Sequence, residues 1–143
     1  MIIDGRSAGT LLSDVVKRVS HGSGETLRIM ADAQVTLQQV LLLTRLRQAG
    51  PSSASGLAEM LNLSLPAVSQ AVDRLVRLRL VTRIEDSADR RKKKIATTSK
   101  ANAFLQRLTK ARASEYSAGL SSVSGETLGH LKLVLRDVLN QLS

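Results

Sequence analysis

Two segments of this 143-residue chain carry side chains that could contact the base edges and phosphates of a nucleic acid. The first is a predicted helix, Ser64–Leu78, whose apolar residues recur at helical spacing and leave a polar face opposite them. Gln side chains suit adenine, and Arg side chains suit guanine or phosphate, so this face could read a base sequence. The residues assigned to DNA contact on this helix are Ser64, Pro66, Ala67, Ser69, Gln70, Arg74 and Arg77.

The second segment is a run of five consecutive basic residues, 90–94, at the tip of a predicted β-hairpin. Residues 80–85 alternate like a strand, and residues 94–97 are the predicted returning strand. Between them, Asp86 and Asp89 are expected to make the turn or to orient the arginines. A solvated charged hairpin without a nucleic-acid partner is the alternative interpretation. The wing residues assigned to DNA contact are Arg90, Arg91, Lys92 and Lys93.

Local signals predict the elements that position these side chains. Ser64 is a good N-cap, and Pro66 falls in the first helical turn, where its missing N–H costs nothing. A turn precedes this helix and follows a short helix over residues 56–61, which Ser53 or Ser55 caps. Ser53 and Ser55 are also candidate phosphate contacts, because helix N-termini hold phosphate groups. Helix, turn, helix and hairpin in this order are typical of a winged helix-turn-helix.

Helical patterns continue on both sides of this segment. Thr36 is a predicted N-cap, Thr98 or Ser99 begins a long helix, and Ser124 begins the last one. The first and last helices carry more apolar residues than a winged domain can cover, which predicts a homodimer interface. The predicted fold class is mainly α with a small β-hairpin wing. Its divisions are an N-terminal dimerisation helix region at 1–35, a winged helix-turn-helix DNA-binding domain at 36–100 and C-terminal dimerisation helices at 101–143.

The net charge of +9 is concentrated in the segment just described. Residues 36–100 hold twelve basic and five acidic side chains, whereas the flanking segments are nearly balanced. A localised basic excess indicates a polyanionic partner, although it could also be a solvated surface. Binding of single strands needs aromatic stacking platforms, and the only aromatic residues are Phe104 and Tyr116. Double-stranded DNA is therefore the expected partner.

Several other classes of function find no support in the sequence. The chain has no cysteine, so disulfides and Cys-ligated metal centres are excluded. His21 and His130 are isolated, and we expect neither a metal nor another cofactor. No pattern indicates a catalytic nucleophile with its base, a phosphate-binding loop, a membrane span or a secretory signal. We therefore expect a non-enzymatic, cytoplasmic protein.

Motifs across residues 35–104 together resemble the MarR family of winged-helix transcriptional regulators. The segment from Ser64 to Val76 is very similar to the family's recognition helix, and Leu80 to Arg91 resembles its wing. Thr36 and Gln39 resemble the opening of the family's second helix. The chain departs from the family pattern where Arg79 replaces a Gly before the wing, and where Gly22 and Gly24 interrupt the first helix.

The resemblance implies a homodimer that binds a pseudo-palindromic operator, with two recognition helices about one helical turn apart. It implies that Arg90 or Arg91 reaches the minor groove, where narrow A·T-rich DNA attracts arginine. It also implies a repressor whose DNA binding a small molecule could modulate, although nothing identifies such an effector. Two alternatives stay open: a non-sequence-specific architectural DNA-binding protein, and a winged-helix protein–protein interaction module.

Overall fold

The structure, a computed structural model, describes residues 7–20 and 24–142. The predicted class, mainly helical with one β-hairpin, is confirmed. The predicted helix break falls partly on His21 and Gly22, which lie outside the described residues, while Gly24 adopts a positive φ of 71° as the N-cap of α2. The elements in order are α1 (Ala8–Val19), α2 (Glu25–Asp32), α3 (Leu37–Ala49), α4 (Ala54–Leu61), α5 (Leu65–Arg77), β1 (Val81–Glu85), β2 (Lys93–Thr97), α6 (Ser99–Gly119) and α7 (Gly125–Gln141).

The chain forms two compact units. One unit, Gly24–Ala111, contains α2 to α5, the hairpin and the first half of α6. The other combines Met1–Ser23 with Arg112–Ser143 and contains α1, the end of α6 and α7. The division by function into residues 1–35, 36–100 and 101–143 stays a prediction.

The core of the unit Gly24–Ala111 is built from aliphatic side chains at the spacing that the sequence predicts. Helix α3 contributes Leu42, Leu43 and Leu46, each at most 1% exposed. Burial of such side chains supplies the main favourable free energy of folding, because it removes apolar surface from water. They pack in one cluster with Leu57 of α4, with Val68, Val72 and Leu75 of α5, with Ile95 of β2 and with Phe104 of α6.

Side-chain caps fix where the helices begin. Thr36 and Gln39 form a capping box, in which Gln39 N–H donates to Thr36 Oγ1 at 3.3 Å and Thr36 N–H donates to Gln39 Oε1 at 3.0 Å. Helix α4 is capped by Ser53, whose Oγ accepts from Gly56 N–H at 3.0 Å. It therefore begins at Ala54, two residues before the predicted start. Ser124 caps α7 as predicted.

The hairpin is antiparallel, and its register pairs Val81 with Thr97 and Glu85 with Lys93. Strand β2 begins at Lys93, one residue earlier than predicted, because this register extends the ladder to Glu85. Ser52, before α4, forms two backbone hydrogen bonds with Ile95, at 2.7 and 3.0 Å. These bonds tie the returning strand to the start of the helix-turn-helix.

The unit formed by the two chain ends presents apolar surface. Gly119 lies against Val19 so closely that an added Cβ would come within 2.6 Å of the Val19 Cα, so a side chain is excluded there. Helix α7 has no buried residue. Its exposed apolar side chains include Leu133, Val134, Leu135 and Val138, and α1 likewise exposes Leu11, Leu12 and Val15.

Candidate nucleic-acid interface

Helix α5 presents one buried and one polar face, as the sequence predicts. Ser64 Oγ accepts from Ala67 N–H at 3.3 Å, and Pro66 lies in the first turn. Val68, Val72 and Leu75 fix the buried face against the core. Of the residues assigned to DNA contact, Ser64, Pro66, Gln70, Arg74 and Arg77 are exposed, whereas Ala67 and Ser69 are partly buried.

Four of these residues line one polar groove beside α5. Its volume is about 450 Å³. The opposite wall is the start of α3, including Gln38, to which the sequence analysis gave no role. Ser64, Pro66 and Ser69 do not line the groove. The residues of α5 that line it are Ala67, Gln70, Ala71, Arg74 and Arg77.

Arg74 is held in place within this groove. Its Nη2 donates to the carbonyl oxygen of Gln34 at 3.2 Å. Gln34 has a positive φ of 56° and ends the turn that closes α2, where its N–H donates to the Ala31 carbonyl. The bond links residues 40 positions apart, so no local sequence signal could have indicated it. It orients the guanidinium while leaving other N–H donors free for a partner.

The end of α5 is made without the Gly that usually adopts a left-handed conformation there. Arg79 has a φ of 60°, which is costly for a residue with a Cβ. Three hydrogen bonds brace the junction: Leu80 N–H to the Leu75 carbonyl at 2.9 Å, Thr98 Oγ1 to the Arg79 carbonyl at 2.8 Å, and Lys100 Nζ to the Leu78 carbonyl at 2.9 Å. They fix the point at which the chain leaves the recognition helix for the wing.

The tip of the hairpin carries three of the five basic residues, not all five. Arg90, Arg91 and Lys92 lie in the turn and are exposed. Lys93 and Lys94 belong to β2, where they approach cross-strand or turn carboxylates: Lys93 Nζ lies 3.7 Å from Glu85 Oε1, and Lys94 Nζ lies 3.6 Å from Asp86 Oδ2. The prediction that placed the whole run at the tip was wrong, because the strand begins earlier.

The two wing aspartates shape the turn, as predicted. Asp86 Oδ1 accepts from Ala88 N–H at 2.8 Å, and Asp89 Oδ1 accepts from Arg91 N–H at 3.0 Å. The hydrogen bond from Ala88, assisted by the charge of Lys94, holds the pKa of Asp86 below its ordinary value. Asp89 Oδ1 also lies 3.4 Å from Arg91 Nε, so it orients that arginine.

An ion pair joins the wing to the recognition helix. Arg83 of β1 donates through Nη2 to Asp73 Oδ1 of α5. Both residues lie within the motifs described above, but neither was predicted to have a function, because a contact across ten residues depends on how the helix and strand pack. The positive charge of Arg83 therefore offsets the negative charge of Asp73, which remains on the exposed surface of α5.

Ser53 and Ser55 lie together at the start of α4. Ser53 is the cap, and its Oγ lies 3.2 Å from Ser55 Oγ. Both side chains are exposed. Their contact with phosphate stays a prediction, as does DNA contact by each of the residues assigned from the sequence.

Residues 7–20 and 24–142 also show whether acidic and His side chains could hold a metal ion and whether a helix could cross a membrane. Within those ranges, no three His, Asp or Glu side chains group closely enough to hold a metal ion. His130 is exposed on α7, and His21 lies outside the described residues. No described helix is long and apolar enough to cross a membrane.

Comparison with known families finds a match for one segment of this chain. The sequence model of the MarR family matches residues 35–93. No curated protein sequence matches the chain significantly.

Solved structures with the same fold cover nearly the whole chain. The transcriptional regulator Tm0710 from Thermotoga maritima is 22% identical, with a TM-score of 0.77 over 94% of this chain and 92% of its own. Staphylococcus aureus MepR in a complex with DNA is 22% identical, with a TM-score of 0.67 over 95% and 98%. Escherichia coli MarR without ligand is 20% identical, with a TM-score of 0.67 over 95% and 99%. Residues 35–93 of this chain, with the helix-turn-helix and most of the wing, therefore match the model of the MarR family, and the chain shares the fold of these solved structures.

Proposed function

We propose that this protein is a homodimeric transcriptional regulator that binds double-stranded DNA sequence-specifically, most simply as a repressor. The observation that carries the proposal is the charge of the exposed α5 face and its neighbouring wing. Gln70, Arg74 and Arg77 line an open groove whose lining includes no carboxylate, and the exposed Arg90 and Lys92 lie at the hairpin tip. Such a surface suits the major groove and the adjacent backbone of duplex DNA.

The comparison with MepR supports this proposal, because that protein has the same fold and its solved complex contains DNA. Each recognition helix would enter a major groove, and each wing would reach a minor groove. The protein would act by binding rather than by catalysis, and its DNA partner would place it in the cytoplasm.

Dimerisation is part of the proposal, because one wing and one helix read only half of a palindrome. The exposed apolar residues of α1 and α7 support it: Leu12 is 59% exposed and Val134 is 60% exposed. Isolated exposed apolar side chains are ordinary, whereas several on one terminal helix indicate a protein interface.

A small molecule could modulate DNA binding through a cavity of about 390 Å³ inside the unit Gly24–Ala111. This volume lies within the range of about 300–1,000 Å³ that is usual for ligand sites. Lys100, which donates to the Leu78 carbonyl at the end of α5, lines the cavity together with Phe104 and Arg107. A ligand that displaced Lys100 would therefore change how the recognition helix ends.

Hydroxyl-radical footprinting on the promoter beside the protein's own gene tests the proposal. We expect two protected half-sites about one helical turn apart, related by an approximate two-fold axis. Uniform protection along the DNA would instead indicate an architectural protein. An absence of protection at low salt on any promoter fragment would indicate a protein–protein module.

A further inference from the structure

Gln38 lies on the α3 wall of the polar groove beside α5, and no role has been assigned to its side chain. It lies in the first turn of α3, is exposed, and lines the groove together with Gln70, Arg74 and Arg77. Within the described part of the chain, the structure records no hydrogen bond for its side-chain amide. Its donors and acceptor therefore face solvent in the free protein.

We propose that Gln38 is a further DNA-contacting residue, whose side-chain amide donates to a backbone phosphate at the edge of the major groove that α5 enters. The inference rests on the proposed function, because it extends the same surface from α5 to a second helix. It assigns to α3 a contact with the partner, where the sequence indicated only a supporting helix.

The charges around the groove favour an anionic group beside Gln38. Arg74 and Arg77 lie on the α5 wall, and none of the residues that line the groove is acidic. The nearest carboxylate along α5, Asp73, is paired with Arg83. The first turn of α3 also contains no acidic residue. A phosphate placed here meets positive charge without a competing carboxylate.

The other polar side chains of the α3 wall are already engaged, which singles out Gln38 on that wall. Thr36 and Gln39 satisfy each other in the capping box, and Gln39 is only 5% exposed. Arg74 is oriented by the Gln34 carbonyl at 3.2 Å. Gln38 is therefore the amide on the α3 wall that can turn towards a partner without breaking a bond recorded in the described residues.

A phosphate suits Gln38 better than a base edge does. In a helix-turn-helix, the recognition helix occupies the major groove and the first helix of the motif crosses the sugar–phosphate backbone. Gln38 lies on a third helix at the edge of the same surface, where we expect it to meet that backbone and not a base edge. Contacts of this kind fix the register of the protein on the duplex and carry little sequence information. Gln38 would thus strengthen binding to operator and scrambled DNA by similar factors.

The test compares charge changes at the two ends of one helix in the full-length protein. Gln48 is exposed near the other end of α3 and does not line the groove, so Gln48→Glu is the matched control for Gln38→Glu. We expect Gln38→Glu to weaken DNA binding at least about tenfold, since it places a carboxylate against a phosphate, and Gln48→Glu to change it by less than about twofold. Circular dichroism melting confirms that both variants fold.

A second variant that should bind DNA more tightly tests the contact in a way that a loss of folding could not imitate. Gln38→Lys should tighten binding and steepen the slope of log K against log salt by about 0.9, the value for one added phosphate contact. Equal affinities of Gln38→Glu and Gln48→Glu, or an unchanged slope for Gln38→Lys, would overturn the inference.

The same titrations separate this inference from the proposed function. If wild-type protein binds operator and scrambled duplex equally, the proposal of a sequence-specific regulator fails. The comparison of Gln38→Glu with Gln48→Glu on either duplex then still shows whether Gln38 contacts a phosphate. If wild-type protein binds no duplex at low salt, both are overturned.

Discussion

Asp73 of the recognition helix is paired with Arg83 of the first wing strand, so one contact connects the two elements that would enter neighbouring grooves of DNA. The side chains are 56% and 43% exposed, respectively. A surface pair of this kind contributes only about 0–1 kcal/mol to the free energy of unfolding. We therefore expect the Asp73–Arg83 pair to matter mainly because it restricts the orientation of the wing relative to α5.

Asp73→Asn distinguishes this positioning role from simple electrostatics. The substitution removes a negative charge from the proposed DNA-binding surface, so electrostatics alone predicts tighter DNA binding. The positioning role predicts the opposite, an affinity about three- to tenfold weaker, with a free energy of unfolding lowered by less than about 1 kcal/mol. Fluorescence anisotropy and urea unfolding measure the two quantities, and tighter binding would refute the positioning role.

Arg90 and Lys93 should differ in their contributions to binding, although both belong to the basic run. Arg90 is exposed in the turn, whereas Lys93 lies 3.7 Å from Glu85. Arg90→Ala should reduce the slope of log K against log salt by about 0.9, and Lys93→Ala by clearly less. Anisotropy titrations at four salt concentrations give both slopes. Equal reductions of the slope in the two variants would mean that Lys93 contacts DNA phosphates despite its ion pair with Glu85.

Arg79→Gly should stabilise the protein. Arg79 has a φ of 60°, and Gly adopts this conformation without the steric cost of a Cβ, which predicts a free energy of unfolding higher by about 1 kcal/mol. Arg45→Gly, at an exposed interior position of α3, is the control and should lower it by about 1 kcal/mol. Urea denaturation measures both. A loss of stability in Arg79→Gly would show that the arginine side chain itself stabilises the junction.

Leu135→Glu should disrupt the proposed dimer. Leu135 is 44% exposed on α7, and a carboxylate buried there at an interface would be strongly unfavourable. We expect sedimentation velocity to show a monomer and operator affinity to fall at least about tenfold, because each monomer holds only one half-site. Asn140→Glu, an equal charge change at an exposed polar position of α7, should remain a dimer. If Leu135→Glu and Asn140→Glu both remain dimers, the dimer interface does not include Leu135.

The features that the sequence predicted are those determined within a few residues. Ser64 caps its helix because its hydroxyl reaches the N–H of Ala67, three residues away, and the predicted N-cap at Thr36 is equally local, since its hydroxyl reaches the N–H of Gln39. Helix α5 was predicted closely for the same reason, since its apolar spacing defines the buried face.

The missed features depend on packing between distant segments. The Arg74–Gln34 bond spans 40 residues, and the position of Gln38 in the groove depends on how α3 packs beside α5. The start of β2 was misplaced by one residue because the strand register depends on the length of the turn as well as on residue type. The Lys93–Glu85 pair follows from that register and was missed with it.

The central claim, sequence-specific recognition of duplex DNA, is tested most directly by fluorescence anisotropy of wild-type protein with its own promoter and with scrambled DNA of equal length. Both titrations are run at two salt concentrations. We predict promoter binding tighter by at least about a thousandfold, the lower end for specific binding, with affinity falling steeply as salt rises. Equal affinity for the two duplexes, or no binding to either at low salt, would contradict the claim.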